Sequence, residues 1–473
     1  MGDRNSKFIH SPIKIRQHRN QIKQVINDKG EYVQNYTQLC EEAPKFYYEL
    51  FNQATYRTTF PKLVVKEKLT HDSKCCLVRT VIQEEVKKVV FQLNTEKAPG
   101  PDGFNAFYFQ ILGCCGDDTS NAILSFFQSG KLLKEVNHTF ITLIPKITNS
   151  SHLADFRPIS CCNTPYKIIS KVLCNGLEVV IKCIISSNQC AFLKGRQISD
   201  CSLLAHELVR DFKKKNAPKG CCLKINLHKA FDSVNRDFVY CIMECMGFPQ
   251  LWVNWIRECL STPTFPVMLN VEASGKVTRF HLAYLSFVME FWSIHMDIAL
   301  ASGKISSIRR DSYNYLTHLL FADNLLIFVK ANKSSNRAIC ALLEDMKDNT
   351  GLSIIKQKSK IYFSKGCSNR EELKSIIGFP EGCLPTKYLG MPLSENYLKP
   401  RHFSVLIDKC RERLEGWSSH ILSFSGRVEL IKTIIHGIIS YWVHSYHLPV
   451  SVCRDLDKLC ANFLWKGKMH TWN

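Results

Sequence analysis

Two stretches of the chain lift a small polar residue out of an otherwise apolar run. In LKINLHKAFDSV (223–234) it is Asn226, and in LLFADNLLIF (319–328) it is the pair Asp323 and Asn324. Large apolar residues on both sides of Phe321-Ala322-Asp323-Asn324 predict a β-hairpin with Asp323 at its tip. A strand and an adjacent hairpin tip that both offer oxygen ligands form a geometry able to bridge two Mg2+ ions about 4 Å apart. One ion would activate an attacking 3′-oxygen and the other would clamp a triphosphate, the arrangement of nucleotidyl transfer. Mg2+ takes oxygen ligands, commonly one or two carboxylates, with phosphate and water completing the octahedron. The tetrad also suits a plain turn, because Asp and Asn favour tight turns and tolerate left-handed backbone. The stretch alone does not choose between the two.

The elements that would position these residues can be read from periodicity. YTQLCEEAPKFYYELFNQ and IQEEVKKVVFQL (82–93) repeat apolar residues at helical spacing, and the two prolines and two glycines of EKAPGPDGF (96–104) force a turn after the second. FITLIPKI (140–147) reads as a strand, and FRPISCCNTPYKIISKVLCNGLEVVIKCII as a turn followed by a long amphipathic helix. SDCSLLAHELVRDFKKK (199–215) is predicted helical with Leu203, Leu204, Leu208 and Phe212 on one face, and GCCLKINLHKAF (220–231) is predicted to be a buried strand. A helix follows the hairpin, capped at or near Ser335 and ended by Gly351, and SIIKQKSKIYFS follows it as a strand. LIKTIIHGIISYWV (430–443) is too short to span a bilayer and is interrupted by Lys432 and His436, so it is expected to be a core helix. Strands interleaved with helices and hairpins, without a βαβ rhythm, indicate an α+β class followed by a helical tail.

Bulk properties narrow the partners. A formal charge of +20 on 473 residues favours polyanions, nucleic acid before anionic membrane. The charge is partly clustered, at Lys7, Lys14, Arg16, Arg19 and Lys23 and again at Lys213, Lys214, Lys215 and Lys219. The 22 cysteines fall as adjacent pairs such as Cys75-Cys76 and Cys221-Cys222, not at the two-residue spacing that grips zinc. Reduced, mostly buried thiols are therefore expected. The charged start MGDRNSKFIHSPIK lacks an apolar core and is not a secretory signal, so the expected location is intracellular, in nucleus or cytoplasm. Gly2 and Ser6 fit a loose myristoylation pattern. No Gly-rich dinucleotide fingerprint or nucleophile elbow supports an oxidoreductase or a hydrolase.

A longer series of motifs carries a resemblance. EKAPGPDGF, ITLIPK, FRPIS, QCAFLKGRQISD, LLAHELVRDF, KINLHKAFDSVN, HLLFADNLLIF, GLSI with KSKIYFS, KYLGMPLS, GWSSHILSFSGRVELIKTI and FLWKG succeed one another from about Gly2 to Gly467. Each is weak alone, but in this order the chain resembles the reverse transcriptase of plant LINE-type (non-LTR) retrotransposons. The resemblance implies a right-hand polymerase of fingers, palm and thumb: a basic helical extension over 1–80, fingers and palm over 81–365, and a thumb-like helical region over 366–473. It implies RNA template, DNA primer and dNTPs as partners, with Mg2+, or Mn2+ in its place, as the cofactor. Lys146 and Arg157 match positions that contact the incoming triphosphate, in keeping with the preference of phosphate for cations; as bare residues they also suit surface charges at strand ends. Phe231 matches an aromatic gate under the sugar and equally suits a core Phe. Lys358 or Lys360 lies where a lysine near the leaving pyrophosphate is expected, and KQKSK is also an ordinary solvated run. Thumb helices bearing Lys and Arg could hold duplex phosphates.

The departures from the family point elsewhere. The family has Asp at the position of Asn226 and a second Asp at the position of Asn324, so Asp323 is the one metal-ligand position of three still acidic. A Gln-Gly-Asp-Pro loop expected after NVEASGK is missing, the sequence running VTRFHLAYLSFVMEFW and resuming a helical pattern at about Tyr284. Ile355 stands where Asn is usual. An endonuclease domain before Met1 and an RNase-H-like or zinc-knuckle segment at the other end would be expected and are not in the sequence, which suggests a truncated copy. Asn is nearly isosteric with Asp, so the fold can persist. One carboxylate, however, balances two divalent ions poorly, and the family's metals are expected to bind weakly. If each lost ligand removes several kcal/mol of transition-state stabilisation, the rate falls by roughly three or more orders of magnitude at ~1.4 kcal/mol per decade. The expectation is a catalytically impaired or inactive polymerase. The alternatives are a non-catalytic nucleic-acid-binding protein and a partly folded product of a decayed element.

Overall fold

The structure is a computed structural model that describes residues 21–27, 30–51, 60, 64–111, 117–146, 150–191, 193–213, 219–228, 230, 233–261, 267–268, 279–308, 316–415 and 422–466. Among these residues, strands β1 (Val25–Ile26) and β2 (Tyr32–Val33) pair with each other. β3 (Thr139–Pro145), β4 (Phe156–Cys162) and β6 (Val267–Met268) form a three-stranded sheet in the order β4-β3-β6. β5 (Gly220–Asn226), β7 (His318–Phe321), β8 (Asn324–Lys330) and β9 (Lys360–Phe363) form an antiparallel sheet in the order β7-β8-β5-β9. β10 (Thr386–Tyr388) and β11 (Met391–Leu393) make a separate hairpin.

The four-stranded sheet follows the two-residue period of a strand, which sends alternate side chains to opposite faces. Leu223, Ile225, Leu320, Leu325, Ile327, Val329 and Ile361 join one core, with Leu173 of the helix Thr164–Ile184, Phe287 and Phe291 of the helix Arg279–Ala301, and Leu343 and Met346 of the helix Lys333–Thr350. The other face sends Cys222, Leu319, Leu326, Phe328 and Tyr362 against Ala205, Leu208 and Val209 of the helix Ile198–Arg210. That helix covers one end of the face. Toward the other end the same alternation sets Lys224, Asn226, Asn324 and Lys360 on this side.

Around this centre, Leu39, Ala43 and Tyr47 of the helix Tyr36–Phe51 pack on Ile141 and Leu143 of β3, and Tyr47 donates a hydrogen bond to the Leu153 carbonyl at 3.1 Å. The C-terminal helices gather a core of Phe403, Leu406, Cys410, Trp442, Leu456 and Phe463. The Tyr441 and Tyr446 hydroxyls tie these helices to the β10–β11 hairpin by donating to the Leu389 and Pro392 carbonyls at 2.5 and 2.9 Å. No helix of the described residues is long and apolar enough to cross a membrane. Ten of the twenty cysteines among them are buried and all twenty are free thiols.

Several local expectations change. FRPISCC is a strand, not a turn, with Ile144 paired to Arg157. The 199–215 helix ends at Arg210, and its buried face is Cys201, Ser202, Ala205, Leu208 and Val209. Leu203 and Leu204 are exposed, because the helix must also accept small residues where it crosses the sheet. The 220–231 strand stops at Asn226, and the strand expected over SIIKQKSKIYFS is confined to Lys360–Phe363, since 355–359 instead turns on hydrogen bonds from Lys358 and Ser359 to the Ile355 carbonyl. The helix after the hairpin is capped by Asn332, whose side chain accepts from the Ser335 amide at 2.7 Å, and Gly351 ends it with φ 79. The helix expected to resume at about Tyr284 begins at Arg279; part of the expected loop position, 269–278, lies outside the described residues.

Candidate active site

The β7–β8 hairpin turns in two residues, with Phe321 opposite Asn324. Its left-handed residue is Ala322, at φ 55, whereas the sequence favoured Asp or Asn for that conformation. An L-residue there costs roughly 1–2 kcal/mol. Ala322 is held by burial among the core residues that the hairpin covers, and the turn by a bond from the Leu227 amide to the Asp323 carbonyl at 3.4 Å. β5 then brings Asn226 directly opposite Asn324, so Asn226, Asp323 and Asn324 meet at one end of the sheet.

Their hydrogen bonds are mutual and local. Asn324 Nδ2 donates to Asp323 Oδ1 at 3.0 Å, and Asn226 Nδ2 donates to the Lys358 carbonyl at 3.0 Å. The Asn226 backbone is gripped on both sides. Its amide donates to Ser359 Oγ at 3.2 Å, and its carbonyl accepts from the Ile355 amide at 3.0 Å. Burial pushes the Asp323 carboxyl above its ordinary value, against a smaller opposing contribution from its own amide. Two carboxylates at 323 and 324 would repel at this distance; an amide in the second place hydrogen-bonds to the first instead.

Nucleotidyl transfer at this place would need a seat for two divalent ions. Asn226, Asp323 and Asn324 offer one carboxylate whose Oδ1 already accepts from an amide, and two neutral carboxamides. Among the described residues no three His, Cys, Asp or Glu side chains come together as a metal-binding group. Hard divalent ions take carboxylate-rich oxygen sets, and this donor set does not fit a pair of them.

The remaining sequence-derived residues fall elsewhere. Lys358 supplies a backbone carbonyl to Asn226, while its side chain is exposed. Lys146 and Arg157 are both exposed and lie together at the loop end of the β3–β4 pair, on a different sheet. The Lys146 ammonium donates to the Ala154 carbonyl at 2.7 Å and its amide to the Asp155 carbonyl at 2.9 Å. Phe231 lies outside the described residues. Lys224 and Lys387 were not singled out in the sequence. Lys224 stands opposite Lys360 across β5 and β9, and its ammonium donates to the Lys387 carbonyl at 2.5 Å. The signal for Lys224 was available, since it lies two residues before Asn226 in a strand and so shares its face.

A family model described as reverse transcriptase (RNA-dependent DNA polymerase) matches residues 144–393, more than half of the chain. The match takes in the end of β3, all of β4, the whole four-stranded sheet and the β10–β11 hairpin, and with it Lys146, Arg157, Asn226, Asp323 and Asn324. The chain belongs to the reverse transcriptase family. It is similar to the transposon TX1 uncharacterized 149 kDa protein of Xenopus laevis, at 22% identity over 502 residues covering 98% of this chain and 36% of that protein. A shorter similarity, 29% identity over 85 residues, is to a putative ribonuclease H protein of Arabidopsis thaliana, covering 17% of this chain and 14% of that one. The chain thus spans about a third of the TX1 protein's length.

Proposed function

We propose that the chain is the reverse transcriptase region of a non-LTR retrotransposon protein of the plant LINE type, with a polymerase fold that outlasts its chemistry. Residues 81–365 are read as fingers and palm, 366–473 as a thumb-like region and 1–80 as a basic extension. Lys146, Arg157 and Phe231 are assigned to the nucleotide and Lys358 to the leaving pyrophosphate. Asn226, Asp323 and Asn324 take the three metal-ligand positions, where Asp323 alone can act as an anionic ligand for Mg2+ or Mn2+. The partners are an RNA template, a DNA primer and dNTPs, in an intracellular setting. The observation that carries the reading is the β5–β8 register, with Asn226 opposite Asn324 beside Asp323.

Catalysis by the family needs anionic ligands, and two are replaced by amides of almost the same shape. The expected result is a polymerase impaired by about three orders of magnitude or more, at several kcal/mol per lost ligand, whose remaining role is to bind nucleic acid. Primer extension on an RNA template, with Mg2+ and then Mn2+, tests this in three proteins: the chain itself, the Asn226→Asp/Asn324→Asp double variant, and that variant with a Gln-Gly-Asp-Pro loop inserted between Lys276 and Tyr284. Extension is expected only in the repaired proteins. Robust extension by the unmodified chain would overturn the impairment.

A further inference from the structure

Away from the hairpin, Leu319 of β7 and Lys330 of β8 border a cleft of about 1270 Å3. The helix Arg279–Ala301, the helix Ile198–Arg210 and the segment 183–188 wall it. Four carboxyls line it, those of Glu67, Glu207, Glu290 and Asp297, against two ammonium groups, Lys66 and Lys330. That sign is unexpected in a chain with 62 Lys and Arg against 42 Asp and Glu, where an acid has cations in excess to meet. Elsewhere acids do meet them, as Glu85 does Arg79 at 2.6 Å and Glu381 does Arg370 at 3.1 Å. The four carboxyls of the cleft form no ion pair among the described residues.

The deepest of them is Glu290, 2% exposed, whose Oε2 accepts from the Ser186 amide at 2.9 Å. Burial pushes the Glu290 and Asp297 carboxyls up, opposed by Ser186 at Glu290 and by Lys66 at Asp297. A buried charge is costly until it is paired. A second observation is independent of the acids. Ser307 lines the same cleft, is 6% exposed, and its hydroxyl has no hydrogen-bond partner. Buried polar atoms are seldom left so, and an orphan of this kind marks a missing partner. The spacing of the acids says what shape that partner has. Glu290 and Asp297 are two turns apart on one side of their helix, about 10 Å along its axis at 1.5 Å per residue. Leu208, Leu300 and Ile305 add apolar wall. Among the described residues no three His, Cys, Asp or Glu side chains converge as a metal-binding group, so the negative charge here is spread along a cleft and not focused on one point.

We infer that this cleft binds a linear aliphatic polyamine, with ammonium groups on Glu290 and Asp297, one of them donating also to the Ser307 hydroxyl, and methylenes along the apolar wall. An extended spermidine is about as long as the two-turn spacing of the carboxyls, whereas putrescine is shorter. Ammonium groups supply the hydrogen-bond donors and the positive charge that the cleft lacks, and the aliphatic links suit walls that a hydrated metal ion would not. The overall charge of +20 repels polycations, so binding here depends on the local reversal of sign. The inference goes beyond the polymerase reading and shares no residue with it.

Isothermal titration of the full chain, freed of nucleic acid by nuclease, with spermidine and separately with putrescine tests it. Spermidine is expected to bind at one site per chain, and putrescine at least about tenfold more weakly, because it cannot reach both carboxyls. Glu290→Gln/Asp297→Asn keeps the shapes and the acceptor for the Ser186 amide while removing both charges, and should weaken spermidine about tenfold or more. Ser307→Ala should weaken it severalfold. Glu84→Gln, an exposed acid of the helix Gln83–Gln92 outside this cleft, should change nothing. Millimolar Mg2+ should not displace the ligand. Equal affinity for the two amines, displacement by Mg2+, an unchanged affinity in the folded double variant, or no binding of millimolar spermidine would each overturn the inference and leave the polymerase reading standing. If the double variant does not fold, the comparison of the two amines on the unmodified chain decides.

Discussion

The two ends of the four-stranded sheet differ in what their side chains do. At the end away from the hairpin, β5 and β8 run through closed cores on both faces: Cys221 and Val329 on one side, Cys222 and Phe328 on the other, each fully buried. At the hairpin end the backbone is equally well determined, with a left-handed Ala322, an unbroken ladder to Asn226 and Asn324, and a turn at 355–359 that grips the Asn226 backbone. The side chains at that end are nonetheless two amides and one acid. Packing is sensitive to volume and shape, and Asn for Asp changes neither. Metal chemistry is sensitive to charge, which the same exchange removes. A scaffold can therefore persist where its chemistry does not, because the two depend on different properties of the same side chains.

The comparison can be broken most forcefully from the packed end. Leu325 is fully buried next to the candidate site, and Leu325→Ala should cost about 2–5 kcal/mol, measured by urea unfolding, with the hairpin end failing together with the core. A loss well under that range would mean that the ends are not one cooperative unit.

A smaller effect is expected in acid. His318 lies on β7, four residues before Ala322, fully buried, with Nε2 2.7 Å from Ser293 Oγ and Nδ1 2.9 Å from Thr317 Oγ1. Burial pushes its pKa down to about 3 from 6.5. The unfolded chain gains this proton first as pH falls, so the contribution of His318 is complete above about 6.5. It is lost progressively toward pH 3, at up to ~1.4 kcal/mol per pH unit. His206, lowered to about 4 by burial and by Arg210, acts in the same direction. His318→Gln should flatten the fall of stability between pH 6.5 and 4 in thermal melts; an unchanged slope would assign the acid sensitivity elsewhere.

The smallest change sharpens the contrast at the tip. Asn324→Asp replaces the amide that donates to Asp323 with a second carboxylate beside a partly buried one. It should lower the melting stability by about 1 kcal/mol without metal, the size of one lost hydrogen bond, and millimolar Mg2+ should restore part of it. A variant as stable as the parent without metal would show that the Asn324–Asp323 bond contributes nothing to the turn.

The sequence by itself determined the strand and hairpin that meet at Asn226 and Asp323, the long helices, and the amides at 226 and 324, because apolar periodicity and residue type are local properties. It also placed the αL end of the 333–350 helix at Gly351, where a glycine has a local conformational reason to stand. It missed the FRPISCC strand, whose pairing with β3 is a long-range contact and whose Pro158 argued for a turn. It misjudged the buried face of the 198–210 helix, because which face of a helix is inside depends on what crosses it, and here that is a sheet formed by strands up to 160 residues further along. Ala322 in the left-handed position and Lys224 beneath Lys387 were likewise decided by tertiary structure. Local preference favours neither, and only packing by distant segments holds a strained backbone and a crowded charge in place.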